Sequence, residues 1–359
     1  MKRVLILFSI FIYFTTNIYA QDFKLEKVVD GLDKPWSLSF IDEENILLTE
    51  KQGKLYFLNL KNKKISEIKH DLKFLEYGQG GLLDVLYRDQ YVYISYSENR
   101  GNWTTSTSVA KGELNQDNIQ FTNIFRAEPP IDSKYHFGSR LVIKEKYIFI
   151  TAGERGQGMI AQDPTKHPGS IIRINLDGSI PDDNPKFKDK DKKNWLPEIF
   201  QIGVRNPQGM AISPEDNEVY ISNHGPKGGD FFGKVTMGSN YGWMLVAWGG
   251  TDYDGSIIGD GSAWKPGLIK PIYRWIPSIA VSDFTFYQGE KFQELNKKVL
   301  LTSLKAQKLI SLDFKDGKVL SEETLIENMG RLRDVEFNGK GEIFIIGSDS
   351  GIWKLKKNN

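Results

Sequence analysis

EVYISNHG, residues 218–225, runs from a charged residue through Val219, Tyr220 and Ile221 and breaks off at Asn223, His224 and Gly225. β-Branched and aromatic residues suit a pleated, packed surface, and the Asn-His-Gly turn stops the run. The same pattern recurs along the chain as NILLTE from Asn45, YVYISY from Tyr91, YIFITAG from Tyr147, VLLTSL from Val299 and EIFIIG from Glu342. Several runs are followed at hairpin distance by a second one with outward charges: GKLYFLNL, GSIIRINL, QKLISLDF and GIWKLKK. The first run of each pair is nearly continuous in apolar residues, so it is expected to be buried on both faces and to lie innermost. The second alternates and is expected further out. Six such units over about 335 residues give about 55 residues each, with long insertions in the fourth and fifth; repeats of that size with few helices predict an all-β, six-bladed β-propeller. An array of double-sheet sandwiches is the alternative. In a propeller, loops on one face converge on the axis, where a rigid scaffold presents binding groups.

Composition narrows the function. Lys and Arg number 47 against 46 Asp and Glu, so there is no basic field for nucleic acid. With no cysteine, thiolate nucleophiles, cysteine zinc sites and disulfides are all excluded. Residues 1–20, MKRVLILFSIFIYFTTNIYA, place Lys2 and Arg3 before a short apolar run and Ala20 at a cleavage position. That is the layout of a signal peptide, so residues 21–359 are expected to form a single domain, exported to the periplasm or secreted, with no membrane span after cleavage.

The four histidines are too scattered to read as a metal cluster, and HExxH and G-x-S-x-G are absent. GQGGLL, residues 78–83, opens no helix and lacks the lysine of a phosphate loop. What remains is a set of polar residues at strand ends: Gln79, His136, Glu154, Arg155, Arg205, Asn206, His224, Asp230, Lys305, Arg331 and Arg333. Singly, each reads as a loop residue or a hydrogen bond between blades. Together they bring several cations to one end of a nearly neutral protein. Converging cations need an anionic partner, and a small, multiply anionic ligand would supply it. The aromatic, glycine-rich stretch 238–270 suits a pocket wall, and loops 99–108 and 248–264 suit substrate selection.

GQGGLLD, HFGSRLVI, HPGSIIRINLDGSIPDDNP, QIGVRNPQGMAISP, NHGPKGGD, GSNYGWM, TSLKAQKLISLD and RLRDVEFNGKGEIFII occur in that order. Over roughly residues 32–355 the chain resembles the soluble quinoprotein aldose sugar dehydrogenases of the glucose/sorbosone dehydrogenase family. The resemblance implies a six-bladed propeller that binds pyrroloquinoline quinone (PQQ) and Ca2+. It implies that His136 takes the proton from the C1 hydroxyl of an aldose while hydride passes from C1 to the quinone, leaving a lactone. It makes Glu154 the carboxylate that orients the histidine, and Gln79 a residue beside substrate and quinone. Arg205, Asn206, Asp230, Lys305, Arg331 and Arg333 match cofactor-site positions, and the backbone carbonyls of Gly225 and Pro226 match calcium ligands. The expected partners are a small aldose and an unidentified electron acceptor, for a monomer or homodimer.

Three features depart from the family pattern. Glu154 stands where Asp is usual, Val204 where histidine commonly precedes Arg-Asn-Pro-Gln-Gly, and Phe231 with Phe232 where an acidic and a strand residue are usual. The last departure weakens the case for a second, structural calcium. A non-catalytic binding propeller and a calcium-dependent sugar lactonase are the alternative readings.

Overall fold

The computed structural model describes residues 22–187, 194–348 and 351–358. The expected signal peptide and the centre of the charged segment 181–195 lie outside the described residues. Strands account for nearly all the regular structure, with two short 3-10 turns beside them.

Six sheets follow one another along the chain, antiparallel except where Asn118–Ile119 adds parallel to Ile65–His70 of the first. Their innermost strands are Pro35–Phe40, Leu82–Arg88, Gly138–Lys144, Pro207–Ile212, Val281–Phe286 and Leu332–Phe337, one each for blades 1 to 6. Each packs beside the next, and the sixth packs beside the first, so the ring closes. This is a six-bladed β-propeller. Its last blade is completed by the first strand of the chain: Phe23–Val29 pairs antiparallel with Gly351–Lys357, with Leu25 opposite Leu355. The longest insertion, residues 235–272, lies within blade 4, and residues 176–198 form another within blade 3; blade 5 has none. The expected fifth-unit insertion is therefore corrected to the third.

A second correction concerns which strand is innermost. NILLTE, YVYISY and their equivalents are the second strands of their blades, not the first. A second strand has sheet neighbours on both sides and blades above and below, so it needs unbroken apolar side chains; Ile46, Leu47 and Leu48 are fully buried. The innermost strand faces the axis, where side chains from six blades meet, and it carries polar residues there.

Two layers of side chains occupy the site end of that axis, and a cavity of about 190 Å³ lined by Asp84, Arg140, Met210 and Asp283 lies beyond them. Nearest one mouth, Trp36, Leu83 and Phe137 form a small buried apolar cluster. One step further along the same strands, Arg140 Nη1 donates to Asp84 at 2.8 Å and Asp334 at 3.0 Å, and Arg140 Nε lies 3.2 Å from Asp283. Burial pushes the Asp84 carboxyl up to about 6 against the pull of Arg140. Burial and the neighbouring Asp334 push Glu336 up to about 8. Three carboxyls thus meet one guanidinium with Glu336 close by, and neutralising some of these groups costs less than burying every charge.

Candidate active site

The N-terminal ends of the six innermost strands open on one face, into a cavity of about 370 Å³, a size that suits a small organic ligand. His136 stands on its wall, two residues before the innermost strand of blade 3. The backbone there is unusual: His136 has φ 49°, a left-handed conformation that is uncommon for a residue with a side chain. Two glycines make room for it. A Cβ at Gly153 would collide with the His136 carbonyl oxygen, and Gly138, at φ 65°, lies so close to Thr151 O that a Cβ would sit 2.8 Å away. The HFG and TAGER motifs are therefore two halves of one close packing. His136 N–H donates to Gln79 Oε1 at 2.9 Å, while Gln79 N–H donates to Lys134 O at 2.8 Å, which ties the blade 2 loop to the histidine loop.

The His136 Nδ1 edge contacts Glu154 Oε1. Glu154 is held in turn: Oε2 accepts from Gly158 N–H at 2.5 Å, and its own N–H donates to Arg205 O at 2.8 Å. The extra methylene relative to aspartate is thus accommodated, with the carboxylate still on the imidazole. Burial lowers the His136 pKa, as does the nearby Arg205 guanidinium, while Glu154 pulls the other way. The net direction is down, so at neutral pH the ring is uncharged. With Nδ1–H donated to Glu154, the Nε2 lone pair is left to accept a proton. Burial raises the Glu154 carboxyl, but the histidine contact and the Gly158 N–H outweigh it, and the net shift is downward. The pair is imidazole and carboxylate.

Arg155, next in the chain, turns away from the cavity. It donates from Nε to Tyr135 O at 2.9 Å, from Nη1 to Thr105 O at 2.9 Å and from Nη2 to Ser133 O at 2.5 Å. Burial pushes its guanidinium down to about 9. Its role is to brace the 133–136 loop.

The rest of the wall is cationic. Arg205, Arg331, Arg333 and Lys51 all line the cavity, and no aspartate or glutamate is among the lining residues. Arg205 Nη1 donates to Gly225 O at 3.0 Å, while its buried Nε has no protein partner. His224, on the same wall, has a buried Nε2 without a protein partner, and burial with Arg205 and Arg333 around it holds its pKa well below the ordinary value. Asn206 acts across blades: Oδ1 accepts from Gly138 N–H at 3.0 Å, and its N–H donates to Asn223 Oδ1 at 3.0 Å. Trp36 borders the cavity, with Arg333 5.7 Å from its ring centroid and Arg140 of the axial network 4.6 Å from it. From the aromatic insertion of blade 4, Tyr253 reaches the lining.

The structure thus brings together Gln79, His136, Arg205, Asn206, Arg331 and Arg333 around one cavity, with Glu154 behind the histidine. Two further residues of the expected set are not among the lining residues. Asp230 lies under the wall: Oδ1 accepts from Gly225 N–H and Ser278 Oγ–H at 2.8 Å each, and Oδ2 accepts from Ala280 N–H at 2.7 Å. Both oxygens are used to pin the Gly225 turn to the loop before blade 5. Lys305 is exposed beyond the lining, and Leu304 takes the wall position. Lys51 was not expected; it directly follows the NILLTE strand, at the place that Leu304 takes after VLLTS. Val204, Phe231 and Phe232 are fully buried, which explains apolar residues at those three positions.

A second cleft, of about 770 Å³, opens on the opposite face between blades 4 and 5, lined by Glu215, Lys297, Asp313 and Lys315. It shares no residue with the histidine cavity. Among the described residues, no group of three or more His, Asp or Glu is arranged to hold a metal ion, and no helix is long and apolar enough to cross a membrane.

Residues 32–354 match the family model of glucose / sorbosone dehydrogenase. The chain is 34% identical over 344 residues to the aldose sugar dehydrogenase YliI of Escherichia coli strain K12, covering 92% of each. The structure superposes on the crystal structure of the soluble aldose sugar dehydrogenase from Escherichia coli in its apo-form with a TM-score of 0.88 at 33% identity, covering 94% of this chain and all of that one. It also shares its fold, at TM-score 0.77 and 20% identity over 94% and 99% of the two chains, with the PQQ-bound form of an aldose sugar dehydrogenase from Streptomyces coelicolor. An all-β ring of six blades, a neutral histidine against a carboxylate, and a match over nearly the whole described length agree: the chain belongs to the glucose / sorbosone dehydrogenase family.

Proposed function

We propose that this protein is an exported quinoprotein that oxidises the C1 hydroxyl of aldose sugars to lactones. The observation that carries this reading is the make-up of one cavity: an uncharged imidazole oriented by a carboxylate, together with Lys51, Arg205, Arg331 and Arg333 and no acidic lining residue. The cationic wall fits a tricarboxylate. Arginine forks grip carboxylates in two places, and the unpartnered Arg205 Nε and His224 Nε2 are buried polar atoms that such a ligand would satisfy. Arg205, Asn206, Arg331 and Arg333 would hold pyrroloquinoline quinone, which when bound supplies the two-electron acceptor for the C1 hydride.

Calcium fits less independently. The chain offers backbone carbonyls at Gly225 and Pro226 and no lining carboxylate, whereas Ca2+ takes six to eight oxygens. The ion would therefore be held jointly with the quinone. Asp230 keeps the Gly225 turn in place for it.

His136 Nε2 accepts the hydroxyl proton as the C1 hydride leaves, and Glu154 stabilises the imidazolium that results. Gln79 fixes the histidine backbone and presents its amide to the same space. An electron acceptor of unassigned identity then returns the site to its starting state. A calcium-dependent lactonase would need side-chain carboxylates around the axis mouth, and this mouth is cationic.

The test is reconstitution. The apoprotein is loaded with PQQ and Ca2+, and reduction of an artificial dye is followed with a panel of aldoses, beside His136→Ala. Turnover that requires both additions and falls by about a hundredfold or more in the variant is expected. Failure of the wild-type protein to bind the quinone would sink the proposal.

A further inference from the structure

Beside the cavity, the site face carries an aromatic pair that the oxidation chemistry leaves unused. Trp103 stands at the tip of the hairpin joining Tyr91–Asn99 to Thr105–Glu113. The tip is closed by Arg100 N–H to Thr104 O at 3.0 Å and Thr104 N–H to Gly101 O at 2.9 Å. Trp103 is 64% exposed, and its backbone has φ 61°. The Tyr77 ring lies 5.7 Å away at 56°. Trp36, Trp243, Trp248 and Trp275 are all buried, whereas Trp103 is held open.

The pair is fixed relative to the chemistry from two directions. Tyr77 is two residues from Gln79, which accepts from the His136 N–H; two residues of chain reach about 7 Å. Thr105, two residues after Trp103, is gripped by Arg155 through both its carbonyl and its hydroxyl. Arg155 follows Glu154 in sequence and also braces the histidine loop. One rigid frame therefore holds the base and the aromatic pair together.

We propose that Tyr77 and Trp103 form a second sugar-binding subsite, which takes the next ring when the aldose is the reducing end of an oligosaccharide. The proposal rests on the functional reading above. Only C1 of the terminal ring can be oxidised, so that carbon must face His136. The glycosidic bond leaves from the far side of the same ring, and the next sugar emerges at the mouth of the cavity. There the pair offers ring faces to the C–H face of a pyranose, burying apolar surface against negatively charged π faces while the sugar hydroxyls stay in water. A monosaccharide leaves the pair uncovered.

The test uses the PQQ- and calcium-loaded protein with glucose, maltose and maltotriose, and with cellobiose and cellotriose. Wild type is compared with Trp103→Ala, Tyr77→Ala and Trp103→Phe. Stacking of this kind is worth up to about tenfold in affinity. Trp103→Ala is expected to raise KM for one of the trisaccharides about tenfold relative to its effect on glucose, with kcat little changed and Phe restoring part of the loss. In the apoprotein, titration with the same trisaccharide is expected to quench tryptophan emission, and Trp103→Phe to abolish that response. Equal effects on glucose and trisaccharides, or none on either, would overturn the subsite. So would variants that slow only reduction of a protein acceptor, which would make the pair a docking surface for it. If the loaded wild type oxidises no aldose, the functional reading fails, and the apoprotein titration alone decides the subsite: saturable quenching lost in Trp103→Phe supports it, and its absence rejects it.

Discussion

At the scale of single residues, the decisive balance is the one at His136. Burial and Arg205 push its proton off, and Glu154 opposes them and loses. A base works deprotonated, so kcat/KM should be flat through neutral pH and fall only in acid, below the ordinary imidazole value of 6.5. Glu154→Gln removes the one upward influence and the anion that fixes the Nδ1–H tautomer. The acid limb should then move to still lower pH, while the plateau drops by about a hundredfold or more. A pH–rate profile of the two proteins checks this, and a limb at or above 6.5 in wild type would refute the charge assignment. Several residues of this site were legible from sequence, because His136, Arg205, Asn206, Arg331 and Arg333 sit in distinctive strand-end motifs. Lys51 was hidden in TEKQGK, which reads as an ordinary charged hairpin turn. Asp230 and Lys305 show the converse: lying in a motif did not tell whether a side chain faces the cavity or supports its wall.

Among the elements, the strands were found and their order was not. Apolar continuity marks the strand most enclosed by protein, and in a propeller that is the second of each blade. The innermost strands look less strand-like because Asp84, Asp283 and Asp334 meet Arg140 across the axis, a non-local fact. The closure of blade 6 by Phe23–Val29 was equally out of reach, since it pairs residues more than three hundred positions apart. That strand carries a testable load. Phe23 is buried, with its ring 5.9 Å from Phe292. Phe23→Ala should cost about 3–5 kcal/mol in chemical denaturation, and a loss below about 1 kcal/mol would mean that the ring holds without this anchor.

For the whole molecule, the axial carboxyls link stability to pH. Glu336 ionises near 4.5 when unfolded and near 8 in the folded chain. Between those values the folded state keeps a proton that the unfolded chain has lost, so stability declines as pH rises from about 4.5 to about 8. Glu336→Gln cannot ionise and should escape that part of the decline. Its Tm is expected to exceed that of wild type by about 2 °C or more at pH 8 and to match it near pH 4.5. A variant less stable at both pH values would show that the carboxyl is needed for packing instead.

The layer of Trp36, Leu83 and Phe137 under the cavity has a kinetic consequence. That packed layer lies between the site cavity and the axial space around Asp84, Arg140 and Asp283, so the site is expected to exchange with solvent through the mouth on its own face. Under the proposed reaction, lactone must leave by the route through which the oxidant arrives, and the two half-reactions must alternate. Initial rates with sugar and dye varied together should give parallel lines in a double-reciprocal plot. Intersecting lines would mean that sugar and oxidant occupy the molecule at once, and that a second doorway exists.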